Sequence, residues 1–288
     1  MFALLVLVAC GPKAAPDSAG PSDTDTGTRA PACLDGELRE MDGMAFARVC
    51  ARTFDMGCTP GAGACTADEP LHAVTLTHDV WVQTTETTQE QVTAWNPNFN
   101  FAFPACGADC PAELIDWNRS ARFANALSTQ AGLTACYACS GDEPNVVCEA
   151  ATSPYDCDGY RLLTEAEWEA AARCGEDLPY AGSASAADVA WTSDNAGRST
   201  HPVAQLGANA CGLYDMSGNV FEWTQDWYGA LTTDAAADPT GAAPSTYRVI
   251  RGGTWYSDPS ISRVALRSYN YPDFTNYRVG LRIARTEM

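Results

Sequence analysis

The chain has 288 residues, of which 46% are hydrophobic and eight are tryptophan, enough for a sizeable core in one large domain or two small ones. Its formal net charge is −19, which excludes a nucleic-acid backbone as partner, because that surface needs a cationic footprint. Lys13 is the single lysine, and seven of the sixteen arginines fall between Arg248 and Arg285. Such a tail either holds an anionic ligand or ties irregular backbone to carboxylates through guanidinium forks.

In chain order, the opening MFALLVLVAC is too short to span a bilayer as a helix. It reads as the end of a secretory signal that lacks a cationic start. Its last residues are similar to a bacterial lipobox, in which the cysteine, here Cys10, becomes the lipidated first residue of the mature chain; a fortuitous apolar start is the alternative. Residues 11–32 are built from small and polar residues with no large apolar side chain, which predicts a flexible linker. The expected organisation is a signal over 1–10, a linker over 11–32 and one domain over 33–288. That domain is expected to be exported, facing the periplasm or the cell surface, and to touch the membrane through a lipid anchor only.

With Cys10 set aside, twelve cysteines remain, an even number that reads as up to six disulfides in an exported chain. Cys58–Cys65 and Cys106–Cys110 are close enough in sequence to staple short loops. The run C-x2-C-x8-C-x8-C from Cys136 to Cys157 reads as nested bridges, Cys136–Cys157 and Cys139–Cys148, or as a four-thiolate zinc site. Cys33–Cys50 and Cys174–Cys211 complete one of the many connectivities that the spacing allows.

Three helices are predicted, over 87–96, 115–132 and 163–175. The last has Thr164 and Glu167 at capping-box spacing, a buried stripe of Trp168, Ala171 and Ala172, and Gly175 as its stop. Strands are predicted over 72–77, 247–253 and 278–285. Long periodic segments are otherwise few, so the expected class is a loop-rich α+β domain with little regular secondary structure.

Two motifs hold chemistry-bearing residues. In GLYDMSGNVFEWTQDWY, residues 212–228, Asp215 and Glu222 flank a Gly-Asn turn. Two carboxylates and nearby carbonyls suit calcium, and a plain turn before an aromatic core strand suits the same spacing equally. In GGTWYSDPSIS, residues 252–262, two glycines precede aromatics and serines between Arg251 and Arg263. Ser257, Asp258 and His201 are triad residue types, but there is no nucleophile elbow, and His72, His78 and His201 lack metal-ligand spacing.

These motifs, with GYRLLTEAEWEAAARCG before them, RVIRGGTWYSD and a closing GLR, resemble the ordered signature of the formylglycine-generating enzyme, or sulfatase-modifying factor, family. The resemblance covers about residues 41–285 and implies a compact fold related to C-type lectins. It also implies a calcium site on Asp215, the carbonyls of Gly218 and Val220, and Glu222, with a second near Asp194 and Asn195. Oxidising members carry two copper(I)-binding cysteines after the Gly-Gly pair. Here Ser257 stands at the first position and Ser260 or Ser262 at the second. A hydroxyl is a hard neutral oxygen that does not hold copper(I) as a thiolate does, so copper is not expected. The resemblance therefore implies a binding module without the cysteine oxidase centre. Its pocket is expected at Trp255, Tyr256, Arg251 and Arg263, for a peptide, protein or small polar ligand. The alternative is a divergent enzyme using Ser257, Tyr256 or Asp258 in the same pocket.

Overall fold

A computed structural model describes residues 33–288; the expectations for the 1–10 signal, for Cys10 and for the 11–32 linker lie outside the described residues. Two sheets organise the domain. The first runs, in spatial order, Leu38–Met41, Met44–Val49, Val80–Gln83, Ile283–Thr286 and Tyr160–Leu162, with every neighbouring pair antiparallel. The second runs Ser268–Asn270, Arg248–Arg251, Phe221–Trp227 and Val279–Leu281, its last pair parallel with Glu222 opposite Gly280. A smaller sheet joins Arg52–Met56, His72–Leu76 and Ala236–Ala237. The main core, including Phe46, Trp81, Trp117, Phe123, Tyr160, Trp223, Leu281 and Ile283, draws on both large sheets and on the helix Trp117–Gln130. The architecture is α+β with long connecting segments.

The one strand expected over 278–285 is two, Val279–Leu281 in the second sheet and Ile283–Thr286 in the first. The break falls at Arg282, which is fully buried. Its guanidinium turns inward to Glu222 and to the carbonyls of Gln83 and Tyr214. The chain changes sheets around this side chain.

Local sequence explains where the helices begin. Thr88 and Gln91 form a capping box on the helix Gln89–Trp95, and Asp116 caps Trp117–Gln130 by accepting from the Arg119 N–H. Thr164 and Glu167 close the expected box on Glu165–Arg173, and Cys174 and Gly175, both at positive φ, end it. The buried stripe expected on this last helix is too narrow, because all nine residues are buried, Glu165, Glu167 and Glu169 among them. Buried carboxylates are tolerable only when paired. Arg267 grips Glu165 at 2.6 and 2.8 Å, Arg161 holds Glu167 at 2.7 Å through each nitrogen, and Glu169 lies between Arg251 and Arg173 at 2.5 and 2.9 Å. The arginine-rich tail is thus largely an internal framework.

Six disulfides cross-link the described residues: Cys33–Cys50, Cys58–Cys65, Cys106–Cys110, Cys136–Cys157, Cys139–Cys148 and Cys174–Cys211. The four cysteines that also suited a zinc site are consumed in two of these bonds.

Candidate functional site

Asn219 is the hub of the 212–228 motif. Gly218 and Asn219 both take positive φ, and a Cβ on Gly218 would overlap the Trp191 backbone, so this turn demands glycine. The Asn219 amide nitrogen donates to Glu86 at 2.7 Å and to the His201 carbonyl, while its oxygen accepts from the His201 N–H. Glu86, fully buried, accepts a second bond from the Val220 N–H at 2.9 Å. Burial and the nearby carboxylates of Asp215 and Glu222 push its carboxyl well above the usual range. No local pattern in the sequence marks Glu86 for this role, since its partners lie more than 130 positions away.

The same turn is bolted to the 252–262 loop. The Gly218 N–H donates to the Gly252 carbonyl at 2.7 Å, and the Trp255 N–H donates to the Asn219 carbonyl at 2.7 Å.

The two carboxylates of the expected calcium site, Asp215 and Glu222, lie near each other, and each has an internal hydrogen-bond partner. Both Glu222 oxygens accept from Arg282, at 2.6 to 3.0 Å, and one also accepts from the Trp168 indole at 2.7 Å, all in the buried interior. A guanidinium thus already lies against the Glu222 carboxylate. Asp215 accepts from the Ala204 N–H at 2.7 Å, and burial holds its carboxyl up at about 6. The motif has the geometry of a Gly-Asn turn leading into a core strand. Near the expected second site, Asn195 spends its side chain within its own turn, on the Thr192 N–H and the Ala190 carbonyl, and Asp194 is exposed.

The loop is equally self-contained. Ser257 Oγ shares a 2.9 Å hydrogen bond with Thr254 Oγ1. Asp258 accepts from both the N–H and the hydroxyl of Ser260, at 2.9 and 2.6 Å, and these bonds hold its carboxyl below its ordinary value. Ser262 is buried beside Gly253, where a Cβ would overlap its hydroxyl. His201 stacks on Trp191 at 3.7 Å and bonds the Ala196 carbonyl through Nε2. Ser257, Asp258 and His201 thus each bond elsewhere, and no triad forms.

The expected ligand pocket is corrected in three of its four residues. Arg251 is fully buried on Glu169, Glu165 and the carbonyls of Val264 and Ala265. Arg263 forks onto Glu69 at 2.8 and 2.9 Å. Trp255 packs inside against Phe103 and Tyr277. These three cannot greet a ligand because internal partners already fill their polar or apolar faces. Tyr256 is 48% exposed, with the Arg278 guanidinium 3.9 Å over its ring.

A family model, the sulfatase-modifying factor enzyme 1-like domain, matches residues 40–287. The chain belongs to this family. Members and relatives with which it aligns are diverse. Formylglycine-generating enzyme from Streptomyces coelicolor is 36% identical over 44% of this chain and 46% of its own. "Chaperone protein LppX" of Paenibacillus barcinonensis is 29% identical over 63% of this chain and 71% of its own. Serine/threonine-protein kinase pkn1 of Chlamydia caviae is 40% identical over 44% of this chain, which spans only 21% of that kinase. Among solved structures, Treponema denticola variable protein 1 superposes with a TM-score of 0.76 at 28% identity, covering 87% of this chain and 99% of that one. PvdO from Pseudomonas aeruginosa gives 0.70 at 25% identity, covering 89% and 100%. In this sulfatase-modifying factor domain, the loop after the Gly-Gly pair carries serines, and all twelve cysteines of the described residues are in disulfides.

Proposed function

We propose that this member is an exported, lipid-anchored binding module that recognises a peptide, protein or small polar ligand and lacks a copper-dependent cysteine oxidase centre. The observation that carries the reading is the 252–262 loop, where Ser257 and Ser260 spend their hydroxyls inside the loop and Ser262 is buried. Soft thiolate ligation is what selects copper(I), and the loop offers none. Six disulfides suit an oxidising compartment, which supports export. The likeness to a protein named as a chaperone supports a protein or peptide as ligand. Tyr256 with Arg278 is the exposed part of the loop, and an aromatic ring beside a guanidinium suits peptide carbonyls and carboxylates.

The test is oxidase turnover. The purified protein is incubated with copper, oxygen, reductant and a peptide containing Cys-x-Pro-x-Arg, and the peptide is weighed by mass spectrometry. An unmodified peptide beside a working positive control is expected; an aldehyde product would overturn the reading. Membrane attachment is checked separately, by asking whether Cys10→Ser moves the protein from the membrane to the soluble fraction.

A further inference from the structure

A second concave site lies away from the 252–262 loop, and none of that loop's residues lines it. It is a cavity of about 200 Å³ between His72, the start of the helix Glu165–Arg173 and the segment from Asp226 to Ala242. Its walls are mainly apolar, with Met56, Trp227, Leu231 and Pro239. Four polar side chains more than nine-tenths buried also line it, Glu165 and Arg267, which pair with each other, and Asp226 and His72.

Asp226 and His72 are each half satisfied. Asp226 Oδ2 accepts from the Glu165 N–H at 2.8 Å, whereas Oδ1 has no hydrogen-bond partner among the described residues. His72 Nδ1 meets the Pro70 carbonyl at 2.8 Å, which places a proton there, and Nε2 has no hydrogen-bond partner among the described residues. Gly241 packs directly on the Asp226 side chain. Arg267, which also lines the cavity and whose charge favours ionised Asp226, makes no hydrogen bond to it: it forks onto Glu165 and gives its remaining nitrogen to backbone carbonyls. Burial and the Glu165 carboxylate accordingly drive the Asp226 carboxyl well above its ordinary value.

A mainly apolar cavity with two unused hydrogen-bonding atoms, one of them on a carboxylate, suits a ligand that is cationic, rich in donors and carries a short hydrocarbon chain. A metal ion is a poorer match. Among the described residues the only three-residue cluster with metal-ligand proximity is Cys33, Cys50 and Asp79, whose cysteines are bonded to each other. We propose that this cavity binds a short aliphatic primary ammonium group, with Asp226 and His72 accepting its N–H bonds and Trp227, Leu231 and Pro239 enclosing its chain. The ammonium belongs either to a small free amine or to a lysine side chain.

The test is NMR titration of the purified protein with n-butylammonium, with a capped Gly-Lys-Gly peptide, with n-butanol and with zinc chloride. Saturable shifts at residues 226–242 are expected with butylammonium, and butanol is expected to bind at least tenfold more weakly. Asp226→Asn keeps an oxygen for the Glu165 N–H and is expected to weaken ammonium binding at least tenfold; Ala236→Leu, which adds bulk at the wall, is expected to do the same. Peptide binding beside amine binding identifies a lysine side chain as ligand, and amine binding alone identifies a free amine. Equal affinity for butanol, no saturable shift with butylammonium, unchanged affinity in a folded Asp226→Asn protein, or zinc binding that excludes the amine would each overturn the proposal. The comparison of butylammonium with butanol needs no variant and stands even if a substitution fails to fold.

Discussion

Arg282 and Glu222 face each other with no access to water, held by three nitrogen–oxygen contacts of 2.6 to 3.0 Å. Removing one partner leaves the other charge buried and uncompensated, which costs about 3–5 kcal/mol. Arg282→Met is therefore expected to lower the urea midpoint strongly, and the double variant Arg282→Met with Glu222→Leu to recover part of the loss. If the double variant is no better than the single one, packing rather than charge is what Arg282 supplies. Asp116 offers a pH-dependent counterpart. Burial raises its carboxyl to about 6, against the hydrogen bond from the Arg119 N–H. The folded state then holds this proton more tightly than the unfolded state does. Stability from this group is fully present below about pH 4 and is lost as pH rises through about 6. Asp116→Asn retains a good helix cap. It is expected to flatten the decline between pH 4 and 6 and to raise the melting temperature at pH 8, as denaturation curves across that range would show.

At the scale of elements, the legible features were those with local causes. Thr164, Glu167 and Gly175 mark the ends of a helix by chemistry within one turn, and their spacing is visible in the sequence. Thr164→Ala is expected to cost roughly 1–2 kcal/mol through the lost cap, measurable by chemical denaturation. The split of 278–285 was not legible, because what divides it is Glu222, 60 positions earlier in the chain. The three glutamates of the helix Glu165–Arg173 hid its full burial for the same reason: their arginines come from residues 161, 173, 251 and 267. The 252–262 loop depends on Gly253, whose φ of +79° and contact with Ser262 exclude a side chain. Gly253→Ala is expected to destabilise the fold and to displace Tyr256, seen as altered tryptophan and tyrosine near-ultraviolet dichroism.

For the whole molecule, the family was legible because its motifs recur in order over nearly the entire domain. The candidate site was legible only in part. Position in the motif suggested that Arg251, Arg263 and Trp255 line a pocket, but position does not say which way a side chain turns. In the structure they turn to Glu169, Glu69 and Phe103. The cavity at Asp226 and His72 joins segments from at least four regions of the chain and leaves no spacing to read. With all twelve cysteines of the domain bonded, thiol titration of the denatured, unreduced protein is expected to find none of them reactive. Zinc removal is expected to expose none either.

The bond from Cys33 to Cys50 has a mechanical meaning. Leu38–Met41 is an edge strand and would be the first to peel if the chain were pulled from the side of residue 33. The bridge carries such a load past it to Cys50, just beyond Met44–Val49, which is paired on both sides. In a single-molecule pulling experiment, the 17 positions spanned by the bridge stay folded away from the load, hiding roughly 50–60 Å of contour length until a reductant releases them. A domain held by its N-terminal side would thus resist tugging at the edge strand nearest the load.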